Sequence, residues 1–329
     1  MKEKILILGG TEFVGRLLVE ALQEAGRYEI YLFNRGKTNP DLFPEVKRII
    51  GDRETDDIEK LQQEQWDYIV DFSSFYPHSL QRTLDQINRD VKKYIYISTI
   101  SVYDFKAYDL SFDIKEDYNR QSCSPEEAVD QTMKTYGKKK AACEVVLDEA
   151  EWLNAVILRP SVIYGRYDPT DRFYYWLRKL KKANEIIIPN EGEDKLSLTY
   201  ADDLRSIIQC AIEGEVPNGV YNCNTHEPLS FNSMLSMMQD LLSTDCKLYG
   251  LSMEVLRAEK VWLPLSFIRN LSYDNTAIKN ATGLTFTPFK ASIQSSIDYA
   301  EENNWKDCRV GMDEEKEQAL LKSKQAESD

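Results

Sequence analysis

The sequence predicts an α/β protein, a doubly wound parallel sheet followed by a smaller C-terminal lobe. Three observations carry that reading. Short β-type runs alternate with amphipathic segments through the first half of the chain, the pattern of successive βαβ units. The strand segments are continuously apolar, as in Ile5-Leu6-Ile7-Leu8, which a sheet covered by helices on both faces requires. The first of them runs into a glycine-containing turn, Gly9-Gly10-Thr11-Glu12-Phe13-Val14-Gly15, and then into a helix.

Strands are expected over residues 4–8, 28–33, 46–50, 68–71 and 94–98. Residues 13–25 place Val14, Leu17, Leu18, Ala21 and Leu22 on one helical stripe, and residues 56–65 read as a shorter helix. A polar stretch, 104–124, precedes Pro125-Glu126-Glu127, a helix opening with acidic residues in its first turn. That helix is expected to run to about residue 150, and a sixth strand over 154–158 closes at Arg159-Pro160. Beyond it the alternation loosens, with helices at 171–182, 201–213 and 230–242 and strands at 185–188 and 219–223. Residues 1–165 therefore form the sheet domain, with elements returning to it near 197–223, and 166–308 form mainly the lobe. Residues 309–329 are a charged tail; from 313 onward it has no aromatic residue and reads as a frayed helix.

Composition narrows the function classes. Forty-one Lys and Arg against 55 Asp and Glu give a net charge of −14, which argues against polyanion binding as the main activity. The six cysteines show no CxxC spacing and no neighbouring histidine, as reduced thiols would. Only His78 and His226 are present, so a histidine-rich zinc site is excluded and no metal is expected. The longest apolar runs span four or five residues, too short to cross a membrane, and the opening is too short for a secretory signal. The expectation is a cytoplasmic protein with a small-molecule substrate, no nucleic-acid or membrane partner, and a homodimer left open.

The first turn suits a dinucleotide. Such a site needs glycine where the chain turns sharply after the strand and where helix packs on strand, with free amides at the helix N-terminus facing pyrophosphate. Gly9 and Gly15 fit the outer roles, Glu12 occupies the middle one, and Gly10 stands two places earlier. The second strand ends in Asn34, Arg35, Gly36 and Lys37. An acid at this tip would accept ribose hydroxyls and indicate NAD, whereas Arg35 and Lys37 suit a 2′-phosphate and tip the choice toward NADP. Asp52 and Arg53 fall where an adenine edge would be met, and Asp71, Phe72 and Ser73 where the chain would skirt the pyrophosphate and ribose.

Tyr136 and Lys140 stand four apart, on one face of a helix. An ammonium beside a phenol favours the phenolate and makes tyrosine usable as an acid–base group. Tyr175 and Lys179 share the spacing, but Tyr136 follows the fifth strand, whose end, Ser98-Thr99-Ile100-Ser101-Val102-Tyr103, brings hydroxyls to the carboxyl edge of the sheet.

GGTEFVG, STISVY, YGKKK and LRPSVIYG occur in the order found in the extended short-chain dehydrogenase/reductase superfamily, and the chain resembles its NAD-dependent epimerase/dehydratase-like enzymes. FNRGKTNPDLFP and DPTDRFYYW look like the atypical, isoflavone-reductase-like bacterial branch. The resemblance covers roughly residues 1 to 305 and implies a Rossmann domain with a small substrate lobe. It implies Tyr136 as general acid/base, Lys140 holding the nicotinamide ribose and lowering the Tyr136 pKa, and Thr99 bonding the reacting oxygen. Pro160, Ser161 and Val162 would border the nicotinamide. Glu12 departs from the usual glycine, and Thr99-Ile100-Ser101 lacks the Asp-Glu pair of the sugar-nucleotide dehydratases.

On the substrate side, Arg172 with Asp168 and Asp171 would meet an anionic or polyol substrate, and Tyr76, Tyr103 and His78 follow strand ends near the cleft. The expected activity is hydride transfer on a sugar nucleotide or a small carbonyl or hydroxyl compound. Two alternatives stay open: a non-catalytic cofactor-binding regulator, and an RNA-associated protein like plastid relatives that share the GGT turn.

Overall fold

The computed structural model describes residues 2–105, 113–266 and 272–328. Seven strands form one parallel sheet: β1 (Glu3–Leu8), β2 (Tyr28–Asn34), β3 (Lys47–Ile50), β4 (Tyr68–Asp71), β5 (Lys93–Ile97), β6 (Ala155–Arg159) and β7 (Gly219–Asn222). Their order across the sheet is β3-β2-β1-β4-β5-β6-β7. The expected doubly wound architecture is therefore present. Strand order reverses between β1 and β4, which opens a crevice at the carboxyl edge beside the glycine turn.

The alternation inside β1 shows why both faces must be covered. Ile5 and Ile7 join one core with helix α1 (Phe13–Ala25) and helix α4 (Ala201–Ile212), numbered here with α2 (Tyr136–Glu149) and α3 (Arg172–Lys182) between them. Leu6 and Leu8 join the opposite core with Trp66, Tyr94, Tyr96 and Leu147 of α2. A third core, around Trp176, Ile187, Met234 and Met238, belongs to the C-terminal lobe. The Trp176 indole is fully buried and donates to the Pro264 carbonyl at 3.1 Å.

Strand boundaries lie within one residue of those expected, and helix α1 matches residue for residue. The segment after the fifth strand differs. Instead of one helix from Pro125 to about 150, the chain makes a single turn at Pro125–Ala128, breaks, and restarts at Tyr136. The cause is local side-chain competition: the Asp130 carboxylate accepts from Thr132 N at 2.9 Å, Thr132 Oγ1 at 2.7 Å and Thr135 Oγ1 at 2.8 Å. Residues 56–63 form 3₁₀ rather than α-helix.

The tail also differs from expectation. Residues Glu314–Ser328 form a docked helix with Leu321 almost fully buried. Its Glu317 carboxylate pairs with Lys179 and accepts from the Ile187 backbone amide at 3.2 Å, and Gln325 donates to Glu185 at 2.8 Å. The helix thus covers the strand Glu185–Pro189, whose amide would otherwise be an open edge. Among the described residues, no helix is long and apolar enough to cross a membrane and no three His, Cys, Asp or Glu gather as metal ligands.

Two predictions follow from this packing. Glu317→Ala leaves the partly buried Lys179 ammonium without its carboxylate, and urea denaturation should record a loss of about 3 kcal/mol, largely recovered in the Lys179→Met/Glu317→Leu pair; an unchanged midpoint for the single variant would contradict the docking. His226 lies buried with its Nε2 2.7 Å from the Tyr164 hydroxyl, and burial holds its pKa down at about 4 against 6.5 when free. The folded state keeps this imidazole neutral, so its contribution to stability is complete above pH 6.5 and is lost as pH falls toward 4. Stability measured from pH 7 to 4.5 should fall less steeply in His226→Phe than in the wild type.

Candidate functional site

The carboxyl edge of the sheet carries a groove of about 550 Å3. Residues 9–15, Asn34, Arg35, Lys37, Asp52, Arg53, Phe72 and Ser73 all line it, so most of the candidates for a dinucleotide site share one groove, and the substrate-side candidate Tyr76 lines it too. Gly9 and Gly10 have φ of 109° and 90°, a left-handed backbone that favours glycine. A Cβ on Gly15 would lie 3.0 Å from the Gly10 Cα, so helix α1 touches the turn backbone to backbone. Glu12, at the place of the usual glycine, caps α1 with an extended backbone (φ −141°) that any residue can adopt. Its side chain caps no amide, and the first-turn N–H groups of α1 are left without a capping side chain. Glycine turn and uncapped amides together fit a pyrophosphate.

Asn34 fixes the tip of β2. It donates to the Gly9 carbonyl at 3.1 Å and accepts from Gly36 N at 2.9 Å, while Arg35 and Lys37 extend into solvent along the rim.

Asp71 lies beneath the groove rather than on its wall. It is fully buried, accepts from both Arg53 terminal nitrogens at 3.0 and 3.3 Å, and takes the Tyr94 hydroxyl at 2.7 Å. Backbone amides of Ser73 and Ser74 add 2.9 and 3.0 Å contacts. Burial alone would raise this carboxyl; Arg53 and the hydroxyl donors hold it down at about 2. Arg53 in turn reaches Ser73 Oγ at 3.0 Å and Thr83 Oγ1 at 2.7 Å, so its guanidinium is anchored inward.

At the far end of the groove Ile97 and Phe75 form the wall, with the Phe75 ring 6.1 Å from that of Tyr136. Tyr136, the first residue of α2, lies beside the Thr99 side chain. Burial pushes the phenol up, while the Thr99 hydroxyl and the Arg172 charge pull it down. The expected lowering by Lys140 is not seen. The Lys140 ammonium is buried below the groove and donates to the carbonyls of Ser74 at 3.0 Å and Ile97 at 2.7 Å, 4.0 Å from the Tyr96 ring centroid. Burial brings it down to about 8. These carbonyls satisfy it better than a protonated phenol could, which is why it turns inward.

Gly137 is a positioning residue that the sequence analysis passed over. A Cβ there would meet the Ser101 carbonyl oxygen at 2.1 Å, so glycine is what lets the start of α2 press against the Thr99–Ser101 turn. The YGKKK stretch held the signal: a glycine in the first turn of a helix is costly unless close approach requires it.

Other candidates are placed differently. Tyr103 does not line the cleft: it is fully buried, donates to Asn222 Oδ1 at 2.7 Å, accepts from Arg159 at 2.8 Å and stacks on Tyr273. A tyrosine after a strand end is drawn inward when a buried arginine needs an acceptor. Ser161 is buried on Thr199, Pro160 accepts from Ile100 N and Val162 packs against the lobe core, so none of the three forms groove wall; Ile163 does. His78 pairs with Glu54 at the surface. Arg172 donates to Thr170 Oγ1 at 3.0 Å, with its charge felt at Tyr136, whereas Asp168 lines a second cavity.

Comparison with known proteins bears on the fold and the family. The chain is 27% identical over 251 residues to the chloroplast stem-loop binding protein of 41 kDa b of Arabidopsis thaliana, an alignment covering 71% of this chain and 61% of the relative. The fold matches UDP-glucuronic acid 4-epimerase from Bacillus cereus in complex with NAD (TM-score 0.71, 18% identity, 91% of this chain and 99% of that one). It also matches dTDP-glucose 4,6-dehydratase from Bacillus anthracis in complex with NAD (TM-score 0.71, 16% identity, 92% and 98%). Residues 5–223 match the NAD dependent epimerase/dehydratase family, and with two thirds of its length so matched the chain belongs to that family of enzymes.

Proposed function

We propose that the protein is an NAD(P)-dependent epimerase or oxidoreductase acting on a sugar nucleotide or a related hydroxylated carbonyl compound. The observation that carries this reading is Tyr136 beside Thr99, just past the carboxyl end of β5 and against the Phe75 ring of the groove wall. Residues 9–15 would hold the cofactor pyrophosphate and the β2 tip its adenosine. When bound, the nicotinamide supplies the hydride acceptor and donor. Tyr136 removes the proton from a substrate hydroxyl as the carbon is oxidised and returns it on reduction, and Thr99 holds the same oxygen. The phenol needs help to ionise, because burial raises its pKa. Arg172 supplies a positive charge on one side; Lys140 would supply another if its ammonium left the Ser74 and Ile97 carbonyls for the nicotinamide ribose.

The absence of an acid at the β2 tip, with Arg35 and Lys37 exposed there and the Asn34 amide already engaged, supports NADP over NAD. The family and the NAD complexes of similar folds support the nicotinamide class as a whole. Fluorescence titration with NAD and NADP should show NADP binding more tightly. Tyr136→Phe should bind both as the wild type does and lose turnover by about a hundredfold or more; full turnover with normal binding would remove Tyr136 from the chemistry.

A second reading is favoured by the relative named for stem-loop binding. The net charge of −14 opposes it, and the groove chemistry does not require it. Filter binding with a stem-loop RNA decides between them: weak retention is expected, and tight retention falling steeply with salt would move the function to RNA.

A further inference from the structure

We propose that a second cavity, next to the dinucleotide groove, binds the phosphate monoester of a hydroxylated small molecule. The cavity encloses about 490 Å3, the size of a small-molecule site. Its walls come from the start of α1, the loop after β2, the 165–171 loop, α3 and the helix Phe289–Glu302. Glu12, Phe13, Lys37, Thr38 and Pro169 belong to both the cavity and the groove, so the two spaces adjoin.

Two independent observations point to a ligand. Asp168 faces this cavity with one carboxylate oxygen satisfied by Thr170, through its amide at 2.8 Å and its hydroxyl at 2.7 Å, while the other oxygen is buried with no donor. Buried carboxylate oxygens are rarely left so, and a ligand hydroxyl would supply the missing proton. Around the same cavity stand Lys37, Lys306 and Arg309, which among the described residues have no carboxylate side-chain partner, although the chain as a whole has 55 acids for 41 bases. Among the described residues the Arg309 guanidinium meets only the Pro169 carbonyl, at 3.3 Å.

Besides Asp168, the remaining charged residues of the wall are Arg16, Asp171 and Glu12. Arg16 is paired with Glu20 and stacks 3.6 Å over the Tyr167 ring, forming wall rather than free charge. Asp171 is buried and takes the Arg309 backbone amide at 3.0 Å, which leaves Glu12 as the exposed acid on the wall. A phosphate dianion offers the acceptors that one guanidinium and two ammonium groups need, and a neighbouring carbinol completes Asp168. Two sources share that chemistry: a free sugar phosphate, or the 2′-phosphate of a cofactor in the groove, reached past Lys37. The site stands apart from hydride transfer and does not depend on Tyr136 reacting.

Isothermal titration calorimetry on the full chain tests it, with ribose 5-phosphate and inorganic phosphate as probes, each with and without saturating NAD or NADP. Ribose 5-phosphate is expected to bind more tightly than inorganic phosphate, an advantage that Asp168→Asn removes. The exposed pair Lys306→Ala/Arg309→Ala should weaken it at least tenfold and leave NAD binding unchanged. Binding that persists beside NADP assigns the site to a separate metabolite. Competition by NADP but not NAD, with NADP preference lost in the double variant, assigns it to the cofactor phosphate. If neither ribose 5-phosphate nor NADP responds to the double substitution, the phosphate site is overturned, and equal affinity for the two probes overturns the role of Asp168.

Discussion

Two carboxylates with no solvent exposure, Asp71 and Glu144, sit under the carboxyl edge of the sheet, and each is held by an arginine. A buried charge left unpaired costs several kcal/mol, so these pairs constrain every element that supplies a partner. Asp71 ties the end of β4 to the loop after β3 through Arg53 and to β5 through Tyr94. Glu144 ties α2 to β6 through Arg159 at 3.0 and 2.6 Å, and to the end of β5 through Ser98 at 2.5 Å. Both Tyr136 and Lys140 lie on that same helix. The candidate site is therefore aimed by ion pairs that lie largely beneath the groove.

This underlayer sets what the groove presents. Asp71 below it is neutralised within the protein, while the wall carries the rim cations Arg35 and Lys37 together with Glu12, Asp52, Glu54 and apolar side chains such as Phe33 and Phe72. Lys140 belongs to the underlayer in this structure, bound to two main-chain carbonyls. The net charge of −14 is consequently a property of the outside of the molecule and says little about the local field at the sheet edge.

Much of this was legible in the residues. The glycine turn, the strand pattern and the placement of Tyr136 after the fifth strand are local signals, set by backbone freedom and side-chain period. The errors came where a side chain had two options that local pattern cannot rank. Asp130 could have pointed to solvent within a helix, yet it caps its own turn and breaks the helix. Tyr103 could have faced the cleft, yet Arg159 and Asn222 draw it inward. The terminal helix carries few apolar residues, but Leu321 and Glu317 fall where the lobe has an open strand edge.

The sequence by itself determined the order of strands and helices, the glycine-bearing turn and the hydroxyl chemistry at the end of β5, because each depends on residues close in the chain. Tertiary structure alone decided which charged groups face a ligand. Arg53, Asp71 and Arg159 are neutralised, and Lys140 is hydrogen-bonded, by partners 15 to 66 residues away, while Lys37, Lys306 and Arg309 converge on one cavity from opposite ends of the chain. The physical reason is desolvation: a buried charge must find its partner wherever the fold supplies one, and sequence proximity does not reveal where that is.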